Sequence, residues 1–221
     1  MESIQSQGGR RRFLKNTFTI ASGLAGFTLL PQIGFANPLM TGNEINVIGP
    51  KEGYSPQVGT LVSMMTWMRS TMLKAVDGMT TEQLDFLFDD KANTVGAMLW
   101  HLAATDTFYH LHTFQGIEWG KWDASYSKQW ATAMELGAPA RKLIKGNSLD
   151  FYLNILSESR EKTLAEFRKR DDAWLMTVDK AWPWGPTNNY CKWFHVCEHE
   201  SNHNGQIKFL KSRMPGAKGG E

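Results

Sequence analysis

Cysteine is scarce in this sequence, and its scarcity excludes one class of protein. Only Cys191 and Cys197 occur among the 221 residues. Six residues apart on one helix, these two side chains point in different directions, so a disulfide between them would require breaking the helix. The sequence therefore excludes a small scaffold held together by disulfides, and we expect two free thiols.

The chain also has no large net charge of either sign. The formal net charge is +2 at pH 7, and four basic residues, Arg10, Arg11, Arg12 and Lys15, lie in the N-terminal tail. The rest of the chain is therefore close to neutral, whereas a nucleic-acid-binding domain needs a basic stripe on its folded surface. We expect no nucleic-acid partner.

Alternating strand patterns, glycine-rich phosphate loops and internal repeats are absent from the sequence as well. Four long amphipathic segments remain, with apolar residues at steps of three and four. This pattern predicts an all-α protein, a four-helix bundle with short extra helices in its connections. The predicted helix starts are Val58, Asn93 or Thr94, Ser148, and Asn188 or Asn189.

Two connections between the long helices carry signals for shorter ones. Thr80 and Gln83 have the spacing of a capping box, which predicts a short helical turn after the first long helix. Further along, Ser127 is placed to begin a short helix that Gly137 and Pro139 would end.

The N-terminal segment has the pattern of an export signal. Residues 10–15 read RRRFLK, an uncharged and moderately apolar stretch follows to Phe35, and Ala36 is a small residue suited to cleavage. This pattern resembles a twin-arginine signal, which implies the export machinery as a partner and a periplasmic location. The alternative is an uncleaved signal that anchors the protein in the membrane. The predicted organisation is a signal peptide at 1–36, a linker at 37–56, the bundle at 57–214 and a tail at 215–221.

Three of the six histidines, His195, His199 and His203, recur at intervals of four residues in the last helix. Four helical residues advance about 400° around the axis and about 6 Å along it, so the three side chains project from one face. Two imidazoles at this spacing can hold one metal ion, and a third ligand then has to come from elsewhere. His101 on the second helix is a candidate, although a lone histidine beside an apolar face is more often a hydrogen-bonded core residue.

Two motifs resemble the DinB/YfiT-like superfamily of metal-binding four-helix bundles: LWHLAATD around His101, and HESNHNGQI near the C-terminus. The resemblance implies that His101, His199 and His203 are the metal ligands, with the family's Gly-Gln-hydrophobic step directly after them. Asn202 and Asn204 stand where many relatives carry histidine and arginine. His195 lies about 12 Å from His203 along the helix axis, so it remains an alternative ligand or a neighbour of the site.

Three imidazoles leave coordination positions open, as in catalytic rather than structural metal sites. The resemblance implies one divalent transition metal (Zn, Ni or Fe), a low-molecular-weight thiol as possible co-substrate, and metal-bound water or thiolate as nucleophile. We therefore expect a thiol transferase or hydrolase acting on a small molecule. Asp106, Glu200 or Gln206 are candidates to orient the ligands.

Two alternatives to an enzyme follow from the same residues. One is a non-catalytic metal-binding or stress-response bundle protein, whose ion mainly joins two helices. The other is a bundle without metal, in which the imidazoles satisfy one another in the core. A homodimer is also compatible with so aromatic a sequence.

Overall fold

The computed structural model describes residues 45–217, which form eight helices and one small sheet. The twin-arginine motif, the proposed cleavage site at Ala36 and the last four residues lie outside this part of the chain. The helices are α1 Pro56–Val76, α2 Thr81–Leu84, α3 Val95–Gln115, α4 Ala124–Glu135, α5 Gly137–Leu143, α6 Leu149–Phe167, α7 Asp172–Met176 and α8 Asn189–Lys211. The strands are β1 Val178–Asp179 and β2 Thr187–Asn188.

The four long helices α1, α3, α6 and α8 form the bundle. Helix α1 packs on α8, and α3 packs on both α6 and α8. The predicted all-α fold class is confirmed, with the short helices in the connections. None of the described helices is long and apolar enough to span a membrane.

Three of the long helices begin at residues that the sequence offered as caps, with Thr94 and not Asn93 capping α3 and Asn188 and not Asn189 capping α8. The side chains of Thr94, Ser148 and Asn188 each accept a hydrogen bond from the backbone N–H three residues later. The predicted capping box of the short helix α2 is formed in both directions between Thr80 and Gln83. These caps satisfy backbone donors that have no partner within the helix, which fixes where each helix starts.

Helix α1 obtains its cap from a distant part of the chain. Ser55 precedes the helix, but its side chain makes no capping bond. Instead, one carboxylate oxygen of Asp172 accepts hydrogen bonds from the Ser55 hydroxyl and from the backbone N–H groups of Gln57 and Val58, at 2.6, 3.0 and 3.2 Å. The start of α7 is therefore tied to the start of α1.

The connection between α3 and α6 differs from the prediction. Helix α4 begins at Ala124 with Asp123 as its cap, not at Ser127. Gly137 and Pro139 do not simply end a helix, because both lie in the first turn of α5. Proline is tolerated there, since the first turn of a helix has no partner for its N–H groups in any case.

The small sheet leads the chain into the last bundle helix. Strands β1 and β2 pair antiparallel, with Val178 opposite Asn188 and Asp179 opposite Thr187. Asn188 is both the end of β2 and the N-cap of α8. The hairpin therefore sets the position at which the histidine-bearing helix begins.

Candidate metal centre

Helices α3 and α8 bring His101, His199 and His203 together in the bundle interior. One ring nitrogen from each histidine lies within 4.8 Å of the other two. The Nε2 atom of His199 is 3.2 Å from Nε2 of His101 and 3.1 Å from Nε2 of His203. We call these three residues the histidine triad.

The end of helix α4 orients His101. Its Nδ1 lies 2.9 Å from the backbone oxygen of Ala133, and since a carbonyl can only accept, Nδ1 carries the proton. The Ala133 carbonyl is available because the N–H of Gly137, four residues later, bonds to the Asn93 side chain instead. The Nε2 of His101 is therefore left as a lone pair directed toward the other two histidines.

Burial keeps the triad uncharged at neutral pH. His101 and His203 are buried and His199 is half-buried. Burial and, to a lesser extent, the neighbouring histidines of the triad and His195 together lower the pKa of His199 to about 3. Burial, together with the neighbouring His101, lowers the pKa of His203 to about 4. Burial also lowers the pKa of His101 below its usual value. Neutral imidazole is the form that binds a metal ion.

The spacing of the three nitrogens suits one metal ion. Two histidine nitrogens about 2.1 Å from a tetrahedral zinc ion lie about 3.4 Å from each other. The separations of 3.1 and 3.2 Å are close to that value. Among residues 45–217, the Nδ1 atoms of His199 and His203 are buried without a hydrogen-bond partner. The donor set, its burial and its spacing therefore fit a cation bound by three imidazoles.

His195 contacts the triad through a neighbouring ring and does not belong to the group of converging nitrogens. Its ring stacks on that of His199, with centroids 5.5 Å apart and planes inclined by 14°. Its Nδ1 is 2.8 Å from the hydroxyl of Tyr109 on α3. Of the two alternatives for His195, a ligand or a neighbour of the site, its position beside the triad corresponds to the second.

Asp106 and Glu200, two of the candidates to orient the ligands, bond to residues outside the triad. Within the described residues, neither carboxylate hydrogen-bonds to a histidine, because both are paired with arginines. Arg160 donates to Asp106 and to Glu200 at 2.9 Å each, and Arg69 bonds to both carboxylates as well. We call these four buried residues, one from each bundle helix, the charge cluster.

Sequence reasoning missed the arginines of the charge cluster, although a signal for them exists. Arg69 lies four residues after Met65 and three before Met72, which is the spacing of the apolar stripe on α1. Arg160 has the same relation to Leu156 and Thr163 on α6. A charged residue at a core position of an amphipathic helix predicts a buried partner of opposite charge.

Gln206 lies on the exposed side of α8. Its amide donates to Asn202 at 3.1 Å, and it also lies near enough to His203 to oppose the lowering of that residue's pKa. Both amide side chains line an open groove of about 720 Å³ between α8, the start of α3 and the segment before it, with Phe88 and Phe209 on its walls. Gln206 therefore links the neighbourhood of the triad to this groove.

Comparison with solved structures agrees with the bundle architecture. A crystal structure described as the conserved protein of a locus from Enterococcus faecalis superposes with a TM-score of 0.53 at 13% identity. The match covers 69% of this chain and 93% of that one. At this identity the likeness shows the fold alone.

Comparison with known sequences assigns the family. No curated protein matches the chain significantly. The family model described as mycothiol S-transferase matches residues 60–216, which includes all four bundle helices except the first residues of α1, and all three triad histidines. The chain therefore belongs to the mycothiol S-transferase family, a DinB-like family.

Proposed function

We propose that this protein is a metal-dependent thiol S-transferase that joins a low-molecular-weight thiol, mycothiol or a similar compound, to a small electrophile. The observation that carries the proposal is the convergence of three neutral imidazole nitrogens in a chain of the mycothiol S-transferase family. Family membership supports a thiol as co-substrate, and the triad supports a metal ion as the means of activating it.

His101, His199 and His203 would hold one divalent cation, which we propose to be zinc, nickel or iron. When bound, such a cation supplies a Lewis acid that favours the thiolate form of a thiol at neutral pH. Three neutral ligands leave the full positive charge of the cation available for this purpose. The carbonyl of Ala133 fixes the ring of His101, so this ligand is oriented before the cation arrives.

The proposed reaction forms one bond and breaks another. The sulfur of the thiol forms a bond to an electrophilic carbon of the second substrate, and the bond from that carbon to its leaving group breaks. The leaving group takes the electron pair of the broken bond, and the thiol proton passes to the leaving group or to water. No oxidant or reductant is needed.

Metal analysis and turnover test this proposal together. Natively expressed protein should contain about one equivalent of a divalent metal and should convert a thiol and an alkyl halide to the thioether, measured by mass spectrometry. His203→Ala should lose both properties while keeping its helical circular dichroism. His110→Ala is the matched control, because His110 is a half-buried histidine of α3 outside the triad.

Two results would contradict the proposal. Wild-type protein with less than a few tenths of an equivalent of metal, unchanged by His199→Ala, would count against a metal site. Full transfer activity in His203→Ala would refute the mechanism. A protein that binds metal stoichiometrically without transfer would correspond to the non-catalytic alternative, and cleavage of an ester without transfer would correspond to a hydrolase.

We propose further that the protein is exported to the periplasm. The support is the RRRFLK motif and the uncharged stretch that follows it. Replacing Arg10 and Arg11 together by lysine should retain the full-length protein in the cytoplasm, as measured by cell fractionation.

Light scattering on the mature chain tests for a homodimer.

A further inference from the structure

We infer that Tyr109 and His195 form a built-in hydrogen-bond donor beside the histidine triad, and that the Nε2–H of His195 binds the thiol co-substrate. Tyr109 would act as the positioning residue that fixes the tautomer of His195. This inference rests on the proposed transferase function and names a side chain that would contact its substrate.

Tyr109 determines which nitrogen of His195 carries the proton. The Tyr109 hydroxyl lies 2.8 Å from Nδ1 of His195. Tyr109 is only 2% exposed, enclosed by aromatic rings including those of Trp119, Trp182 and Trp193. Leaving a buried hydroxyl without an acceptor costs about 1–3 kcal/mol, so this O–H donates to Nδ1. The proton of neutral His195 is then on Nε2.

The phenol is a dependable donor because it stays protonated. Burial raises the pKa of Tyr109 above its usual value. The hydroxyl therefore keeps its proton at neutral pH. The Nε2–H tautomer of His195 follows from a fixed donor, and it does not require a change of charge on the histidine.

His195 is half-buried and stacks on the triad member that is not fully buried. His101 and His203 are buried, whereas His199 is half-buried, and it is the ring of His199 on which His195 stacks. His195 also contacts the ring of Trp184, which is 56% exposed, at 4.7 Å between centroids. A small molecule that reaches the triad past His199 would pass along the edge of His195.

The bond to Tyr109 leaves Nε2–H available for a ligand. Within residues 45–217, Nε2 of His195 has no hydrogen-bond partner, while its Nδ1 is occupied. An N–H group on a ring that stacks against a triad histidine suits the sulfur or an oxygen of a thiol compound, since both are acceptors. We therefore expect His195 to contribute to the affinity for the thiol, and not to the affinity for the metal.

The tautomer can be measured without any activity assay. Long-range ¹⁵N–¹H correlation spectra of the metal-free protein distinguish Nε2–H from Nδ1–H imidazoles, and His195→Phe identifies the signals of His195. Wild-type protein should show the Nε2–H form, and Tyr109→Phe should show a mixture. The Nδ1–H form in wild-type protein would overturn the assignment of Tyr109 as donor.

Kinetics test whether the donor binds the thiol. His195→Phe keeps the stacking on His199 but removes the N–H, and it should raise KM for the thiol by about 5–10-fold, the value of one hydrogen bond, with full metal content. His195→Gln restores an N–H near the position of Nε2 and should recover most of the affinity. Tyr109→Phe should fall between them.

Tyr152→Phe is the matched control for Tyr109→Phe. Tyr152 is a fully buried tyrosine whose hydroxyl accepts one hydrogen bond, from Asn147 at 3.2 Å, and within residues 45–217 it makes none to the triad. The Tyr152→Phe variant should leave KM for the thiol unchanged.

If wild-type protein transfers no thiol, the proposed function fails, whereas an active wild type with unchanged KM in His195→Phe refutes this inference alone. Loss of metal from His195→Phe would make His195 a ligand and would also refute it.

Discussion

The histidine triad and the charge cluster are two polar groups in the interior of the same bundle, and they are built in opposite ways. The cluster combines two arginines and two carboxylates that pair with each other across all four helices. The triad combines three like groups whose Nε2 atoms converge. Pairing offsets the cost of burying charged groups, and removing one partner leaves a charge unpaired, whereas converging imidazole nitrogens suit a cation.

Neighbouring residues of α8 contribute to both groups. His199 belongs to the triad and Glu200 to the charge cluster. Adjacent residues of an α-helix point about 100° apart, so a single step along the chain changes which neighbours a side chain meets. The four-residue spacing of His199 and His203 predicts that they share a face of α8. Which residues pack against each face of α8 depends on how the other helices are placed.

The largest effect should come from breaking the charge cluster. Asp106→Leu leaves two buried arginines facing one carboxylate, and we expect the free energy of unfolding to fall by about 3–5 kcal/mol. Denaturant unfolding of the metal-free protein measures this loss. Glu166→Ala, which breaks ion pairs to Lys169 and Arg170 at the surface, is the control and should cost less than about 1 kcal/mol.

A second substitution tests whether the unbalanced charge causes the loss of stability in Asp106→Leu. Adding Arg160→Met to Asp106→Leu removes one cation together with one anion, so most of the lost stability should return. If the double variant is as unstable as Asp106→Leu, packing and not charge balance explains the loss.

Removing a triad histidine should mainly affect the metal-loaded protein. A cation at 1,000 times its Kd stabilises the native state by about 4 kcal/mol, and His203→Ala should lose that gain. Thermal unfolding with and without added zinc measures the difference, and His110→Ala should keep it. An equal gain in His203→Ala and wild type would show that zinc binds elsewhere.

Acid should act on the charge cluster through Glu200. Burial raises the pKa of Glu200, but the charges and hydrogen bonds of Arg69 and Arg160 outweigh it, so that its pKa is lowered. A lowered folded-state pKa contributes stability above the unfolded value near pH 4.3, and this contribution is lost as the pH falls through the folded value.

Glu200→Gln, which cannot titrate, tests this effect. Between pH 7 and pH 3 the variant should lose less stability than wild type, by up to about 1.4 kcal/mol for each pH unit between the unfolded pKa near 4.3 and pH 3. Urea unfolding across this range provides the measurement. Parallel curves for the two proteins would show that Glu200 does not titrate differently in the folded state.

The smallest effect is expected for Gln206→Ala. This exposed side chain bonds to Asn202 near the surface groove, so stability should change by no more than about 0.5 kcal/mol. Zinc titration should give nearly unchanged affinity. A loss of about 10–100-fold would instead show that Gln206 holds His203 in its binding orientation.

The sequence predicted much of the bundle because helix signals are local. The start at Ser148 and the capping box of Thr80 follow from residues within one turn of each helix, and the other two caps were narrowed to neighbouring pairs, of which Thr94 and Asn188 form the bonds. The proposed cap at Ser127 was wrong, because Asp123 offers an equally suitable side chain four residues earlier. The cap of α1 could not be predicted, since Asp172 lies more than 100 residues away from it.

Within the metal centre, the sequence by itself determined that His199 and His203 share a face of α8, because helix geometry fixes the positions of residues four apart. The resemblance selected His101, but only the tertiary structure brings its Nε2 to 3.2 Å from that of His199. Packing likewise decided that Asp106 and Glu200 face arginines and that Tyr109 bonds to His195. Such contacts join residues about 40 to 100 positions apart, where the spacing along the chain carries no information about distance in space.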